Sequence, residues 1–198
     1  MNNDIINSNI TQGISYEGEV TISLVNANNK VLAKTTLNNS GRLPLFRFFT
    51  SCLGNEWSAA QKQCPCRIVL FKKEDNESAH MSDENYWTTY WTSNNALTPD
   101  NGILYAIPPV QSLDTTNNTS SVKYHFRVPT ALLSSPGSSI AKLGLYPNLV
   151  ITSDPAAYVF LKSADTELLQ TASNNQNLLI LIDWELIISN KVKTSSTQ

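Results

Sequence analysis

Three groups of residues have the types and spacing from which chemistry could be built. The first is Cys64-Pro65-Cys66, with Cys52 upstream. A zinc site usually takes two Cys or His pairs at short spacing, and here only Cys52 remains to join the pair, with no histidine near it in sequence. Three reduced thiols are the plainer reading. The second group is His80 with Asp83 and Glu84, side chains able to hold a cation. In so polar a stretch they read first as a solvated acidic turn. The third is Asp183 and Glu185, which share one face of a strand. Paired carboxylates hydrolyse glycosides when they come from separate elements flanking a cleft. On a single strand they read as solvent-facing residues or as charges guarding a sheet edge. His125 alternates outward on its own strand and reads as a surface residue. The sequence has no Gly-rich phosphate loop, GxSxG elbow or HExxH motif. The expectation is a protein that is not an enzyme, with no catalytic residue, no metal and no cofactor.

The best binding candidate is aromatic. Tyr86, Trp87, Tyr90 and Trp91 fall within six residues. Exposed Tyr and Trp supply large contact areas for protein interfaces and for sugar stacking. Alternate members of the block could equally fill a core, and all three uses stay open.

The chain that must position these residues has 198 residues, 41% hydrophobic and 15% charged, with a formal charge of −2. That length suits one sizeable domain, or at most two small ones, burying roughly 70% of the unfolded surface without help from disulfides or metals. Near-neutrality argues against nucleic-acid binding, which needs a basic surface to replace counterions. No apolar run approaches the roughly 20 residues that span a bilayer, so no membrane partner is expected. Met1-Asn2-Asn3-Asp4 lacks the basic-then-apolar order of a signal peptide.

Clusters of Asn, Ser and Thr separate short apolar runs, the composition of an antiparallel β protein. Val20, Ile22 and Leu24 alternate with Glu19, Thr21 and Ser23, which predicts a half-buried strand. Asn26-Ala27-Asn28-Asn29 supplies a turn, and Lys30 to Leu37 returns as the second arm of a hairpin. From Pro44 to Leu53 the spacing of Leu45, Phe48, Phe49 and Cys52 predicts a short helix, with a second over Ser58 to Gln63. Further strands are expected over 67–72, 103–107 (ending at Pro108-Pro109), 122–128, 140–146 and 157–162. In the last, 178–189, Ile180, Ile182, Trp184, Leu186 and Ile188 share one parity. The fold expected is mainly β: an antiparallel β-sandwich of about nine strands, counting the aromatic block, with a helical insertion near residues 44–63. Residues 1–12 read as a flexible arm, 13–189 as a single domain with an irregular insertion at 73–101, and 190–198 as a flexible tail.

Two blocks resemble structural proteins of tailed-bacteriophage virions. Val122-Lys123-Tyr124-His125-Phe126-Arg127-Val128-Pro129, Ile140-Ala141-Lys142-Leu143-Gly144-Leu145-Tyr146, Ala157-Tyr158-Val159 and Leu181-Ile182-Asp183-Trp184-Glu185-Leu186 follow one another in an order similar to phage tail and collar proteins. This chain departs from them in placing Leu143 where a polar residue is frequent. Tyr16-Glu17-Gly18-Glu19-Val20, Asn38-Asn39-Ser40-Gly41 and Leu45-Phe46-Arg47-Phe48-Phe49 resemble a group found in crAss-like gut phages. The blocks cover about 16–71 and 122–188. The resemblance implies a ring or collar subunit of the portal–tail connector, acting by assembly without turnover. Its partners would be other copies of itself and neighbouring portal, ring or tail proteins, in a virion assembled in the bacterial cytoplasm. The competing expectation is a capsid decoration or head-fibre protein, or a receptor-binding module that takes glycans through the aromatic block.

Overall fold

A computed structural model describes residues 10–41, 64–72, 96–99, 102–134, 140–147, 155–161 and 177–194, with positions 45, 48, 49, 51, 52, 54, 55 and 58 between the first two stretches. The fold is mainly β. In chain order the strands are β1 (Ile10–Val25), β2 (Val31–Asn38), β3 (Ser40–Gly41), β4 (Pro65–Lys72) and β5 (Ile103–Leu104). They continue with β6 (Ile107–Asp114), β7 (Thr119–Pro129), β8 (Ile140–Pro147), β9 (Ala157–Phe160) and β10 (Leu179–Thr194). Two antiparallel sheets result, ordered β2-β1-β10-β7-β6 and β3-β9-β8-β4-β5. Leu45, Phe48, Phe49, Ser51, Cys52 and Ser58 are helical, within the insertion expected at 44–63.

The predicted parity places the core. Val20, Ile22 and Leu24 of β1 stand opposite Trp184, Ile182 and Ile180 of β10, which in turn face Tyr124, Phe126 and Val128 of β7. All nine are buried, and they pack against Ile68 and Leu70 of β4, Leu143 and Leu145 of β8, and Ala157 and Val159 of β9. This interdigitation of two inner faces makes the sandwich. β8 is buried along its whole length. Its other face joins Val69, Phe71 and Tyr146 in a second cluster with Ala96, Tyr158 and Phe160. Burial on both sides explains why Ile68-Val69-Leu70-Phe71 is an uninterrupted apolar run and not an alternating one.

Local chemistry shapes the turns. Between β1 and β2 the Asn26 side-chain oxygen accepts hydrogen bonds from the backbone N–H groups of Asn28 and Lys30, both at 3.0 Å. Asn29 takes a positive φ of 58° there, a conformation asparagine tolerates better than most residues. Between β6 and β7 the carboxylate of Asp114 accepts from the backbone N–H groups of Thr116 and Asn117 and from the Asn117 amide. These bonds hold its pKa below the ordinary carboxylate value.

A buried asparagine locks the corner where the chain leaves one sheet for the other. The Asn39 N–H donates to the Gly18 carbonyl at 2.9 Å, and its side-chain amide donates to the Glu185 carbonyl at 3.3 Å. The Tyr16 hydroxyl donates to Asn39 Oδ1. Burial raises the pKa of that phenol well above its ordinary value, so it stays a neutral donor. A Cβ on Gly18 would overlap the Asn39 amide, and one on Gly41 would lie 3.0 Å from both Leu45 and Tyr16. The residues Tyr16, Gly18, Asn39, Gly41 and Leu45 thus form one packed corner.

Three expectations shift. Pairing between β1 and β10 runs from Ile10↔Thr194 to Val25↔Leu179, so strand enters both segments expected to be arms, at 10–12 and at 190–194. Backbone hydrogen bonding does not require apolar alternation, and polar residues such as Asn190 and Lys191 give no periodic signal. The strand expected to end at Pro108-Pro109 instead breaks at Tyr105-Ala106 and continues through both prolines to Asp114. β6 is an edge strand whose register with β7 shifts between Ile107 and Val110, the setting in which a missing N–H is tolerated. The aromatic block counted among the strands, and most of the insertion at 73–101, lie outside the described residues.

Gly18→Ala should destabilise the protein by about 1–3 kcal/mol, the usual range for overpacking a tight site. Gly18→Ala combined with Asn39→Ala should recover part of that loss, because the overlapping amide is gone. Urea unfolding midpoints of the two variants test this.

Candidate functional site

The parity that buries Trp184 turns Asp183 and Glu185 to the opposite, outer face of the first sheet. Both are met by basic residues of β7. Nδ1 of His125 lies 2.7 Å from Asp183 Oδ1, and Lys123 Nζ lies 3.2 Å from Glu185 Oε2. Each pair stands directly opposite in the β10–β7 register. On the other side of β10, Glu185 faces Glu19 of β1, a like-charge neighbour that Lys123 offsets. The other row, His125–Asp183–Thr21, ends in a bond between the hydroxyls of Thr21 and Thr36 at 3.0 Å. The His125 and Asp183 side chains are 29% and 49% exposed, so water screens their attraction. Such pairs contribute at most about 1 kcal/mol. The two carboxylates lie on one strand of an open sheet face, each held by its own base, and they do not oppose one another across a cleft.

The cysteines form a second locale. Burial pushes the Cys64 thiol up, the neighbouring Cys52 adds to the rise, and a hydrogen bond with the Tyr124 side chain offsets part of it. Cys66 is likewise raised by burial, with Arg67 pulling the other way. A thiol so held stays protonated at neutral pH and in that form is a poor nucleophile. No three His, Cys, Asp or Glu side chains gather closely enough to hold a metal ion among the described residues. None of the helices searched there is long and apolar enough to cross a membrane.

Two other features complete the surface. A half-open polar recess of about 250 Å³ lies at the corner, lined by Tyr16, Glu17, Gly18, Asn38 and Asn39. The hydroxyl of Tyr16 and the amide of Asn39 are already bonded to each other there, which makes the recess part of the corner lock. Apolar side chains are exposed in a different place. Among the described residues, Leu104, Ile107, Val110 and Leu113 are exposed on the β5–β6 flank, Val31 and Leu32 at β2, and Leu132 in the turn after β7.

Of the residues singled out from sequence, the structure places Asp183, Glu185 and His125 together on one face and draws Cys52 close to Cys64. His80, Asp83, Glu84 and the aromatics Tyr86, Trp87, Tyr90 and Trp91 lie outside the described residues. Sequence reasoning missed the pairing of His125 with Asp183 and of Lys123 with Glu185. Alternation names the face of each strand, but only the register between strands shows who meets whom. It also missed Lys142, fully buried in β8 with its ammonium 5.8 Å from the centre of the Phe71 ring. The available signal was a single cation inside the apolar run Ile140–Tyr146. Comparison with protein-family models, curated proteins and solved structures finds no match.

Four acids that are wholly or partly buried make the fold less stable in alkali. Cys64 and Cys66 rise from an ordinary 9.0, and Tyr16 and Tyr124 from 10.0, all chiefly through burial. The unfolded chain ionises at the ordinary values while the folded chain still holds these protons. Stability is therefore unaffected by these groups below about pH 8 and falls as pH rises through 9 and beyond. The urea midpoint should be flat in this respect from about pH 7 to 8 and clearly lower near pH 10.5. In Tyr16→Phe that alkaline decline should be shallower.

Proposed function

We propose that this chain is a structural subunit of a tailed-phage virion, a ring or collar component near the portal and tail that works by assembly and not by turnover. The observation that carries this reading is where apolar surface remains. The inner faces bury their large side chains, yet Ile107, Val110 and Leu113 stay 51–73% exposed along a sheet edge with no further strand beside it among the described residues. A long apolar edge strand is an aggregation hazard unless another chain covers it. Two further points support it. The carboxylates best suited to catalysis are each bonded to a base on an open face. The residues through which the two sequence blocks resemble phage tail, collar and crAss-like virion proteins take structural places: Trp184 and Leu145 in the core, Gly18 and Asn39 at the corner. On this reading the partners are further copies of the chain and adjoining virion proteins.

The test is to locate the chain in purified particles by cryo-EM, with antibody labelling as a cross-check. The expected result is a ring of repeated copies at the head–tail junction. A single copy making no repeated contact, or absence from the particle, overturns the proposal. If the fold instead serves catalysis through Asp183, polysaccharide turnover should be measurable and abolished in Asp183→Asn. The expectation is no turnover in either protein, with a stability change below about 1 kcal/mol.

A further inference from the structure

The helical insertion and the start of β4 each carry a cysteine, and the fold brings the two together. Leu45, Phe49 and Cys52 are helical and spaced i, i+4, i+7, so they form one stripe. Leu45 is fully buried in the core cluster and Phe49 packs against it, which turns Cys52 to the inner side of the helix. The helix stops there: the Asn55 N–H donates to the Cys52 carbonyl at 3.4 Å, and Asn55 takes a φ of 58°. Cys52 is partly exposed.

Cys64 stands immediately before β4 and is also partly exposed. Its thiol donates to the Pro65 carbonyl at 3.7 Å and accepts from the Tyr124 hydroxyl, which holds it on the core side of the strand's start. The chain leaves β3 at one edge of the second sheet and re-enters at β4, three strand spacings away in the order β3-β9-β8-β4. That separation is about 14 Å, and Leu45 to Cys52 spans about 10 Å as helix. The Cys52 end of the helix lies near enough to Cys64 for the two sulfurs to act on each other electrostatically. Cys66 differs from both, being buried and bonded to the Arg67 side chain.

We propose that Cys52 and Cys64 are a redox pair that closes to a disulfide and ties the helical insertion to β4. The oxidant is a low-molecular-weight disulfide. Burial holds the proton on Cys64, so the first attack falls to Cys52. The Cys52 thiolate attacks one sulfur of the reagent, forms a mixed disulfide and releases one reagent thiol. Cys64 then loses its proton to solvent and attacks the Cys52 sulfur, which releases the second reagent thiol. Two protein thiols are thereby oxidised by two electrons, one reagent disulfide is reduced, and the protons pass through solvent to the released thiols. The Tyr124 hydroxyl, already donating to the Cys64 sulfur, stabilises the thiolate as it forms. Cys66 takes no part, because its sulfur is buried away from the reagent. The chain folds with free thiols where thiols are kept reduced and stiffens on meeting an oxidant. This tie lies within one chain and goes beyond the assembly reading.

To test this, the full chain is purified under reductant, freed of it, incubated with oxidised glutathione and digested without reduction. Trypsin cleaves after Arg47, Lys62 and Arg67, so the bridge should join residues 48–62 to 63–67. Fragment ions on either side of Pro65 should place it on Cys64. Cys66→Ser should keep the bridge, and Cys64→Ser should lose it. On oxidation the melting temperature should rise by about 6–12 °C, and dithiothreitol should reverse the rise. A bridge to Cys66 from either partner, glutathione left on Cys52 without closure, or thiols that all stay free overturns the proposal. Mapping the wild-type bridge decides the matter even where a serine variant fails to fold.

Discussion

The strand that cannot move in this molecule is β10. Ile180, Ile182, Trp184 and Leu186 must all leave water together, and a strand alternates its side chains with a period of two. A slip of one residue would send all four to the outer face and bring Asp183 and Glu185 into the core, where unpaired charge is prohibitive. Burial therefore sets the register of β10 against both β1 and β7. The positions of His125 opposite Asp183 and Lys123 opposite Glu185 follow from that register. These pairs are a consequence of the core and contribute little to holding it.

The second sheet obeys a different constraint. With β8 buried throughout, Lys142 stands between Phe71 of β4 and Phe160 of β9, fully buried, with no water to solvate its ammonium. Lys142 lies over the face of Phe71, where the ring quadrupole attracts a cation more strongly the less water surrounds it. The two sheets thus divide the work. One is covered on both faces, while the other keeps a polar outer face and, among the described residues, no strand beyond β2 or β6.

Legibility in the sequence followed the physics of each signal. Where one face was buried and the other wet, as at Val20–Leu24 and Val122–Val128, alternation identified the strand and its inward residues. Where both faces were buried, Ile68–Phe71 could be read as core but not oriented. The helical spacing of Leu45, Phe48, Phe49 and Cys52 was also readable, because a helix against a core has its own period. Pairing beyond the core, at Ile10–Tyr16 and Asn190–Thr194, left no trace, since backbone groups pair regardless of the side chains they carry. Pro108-Pro109 misled because proline ends a central strand but is admitted at an edge, and whether a strand lies at an edge is a property of the sheet. The face chemistry of the candidate site was half readable: parity placed Asp183, Glu185 and His125 outward, but their partners depend on the register between distant segments.

The corner formed by Tyr16, Gly18, Asn39 and Gly41 bears on what a shared motif can mean. Gly18 has no side chain because the Asn39 amide occupies that space, and Asn39 is there to satisfy the Glu185 carbonyl as the chain crosses between sheets. Any sandwich that crosses between sheets at this point meets the same demand, whatever its surface does. A motif of this kind answers first to architecture, so it supports a shared fold more directly than a shared surface. What distinguishes one such sandwich from the next must then lie where the architecture makes no demand, on the edges. The eight residues of β6, Ile, Pro, Pro, Val, Gln, Ser, Leu and Asp, take no part in the core clusters of this molecule.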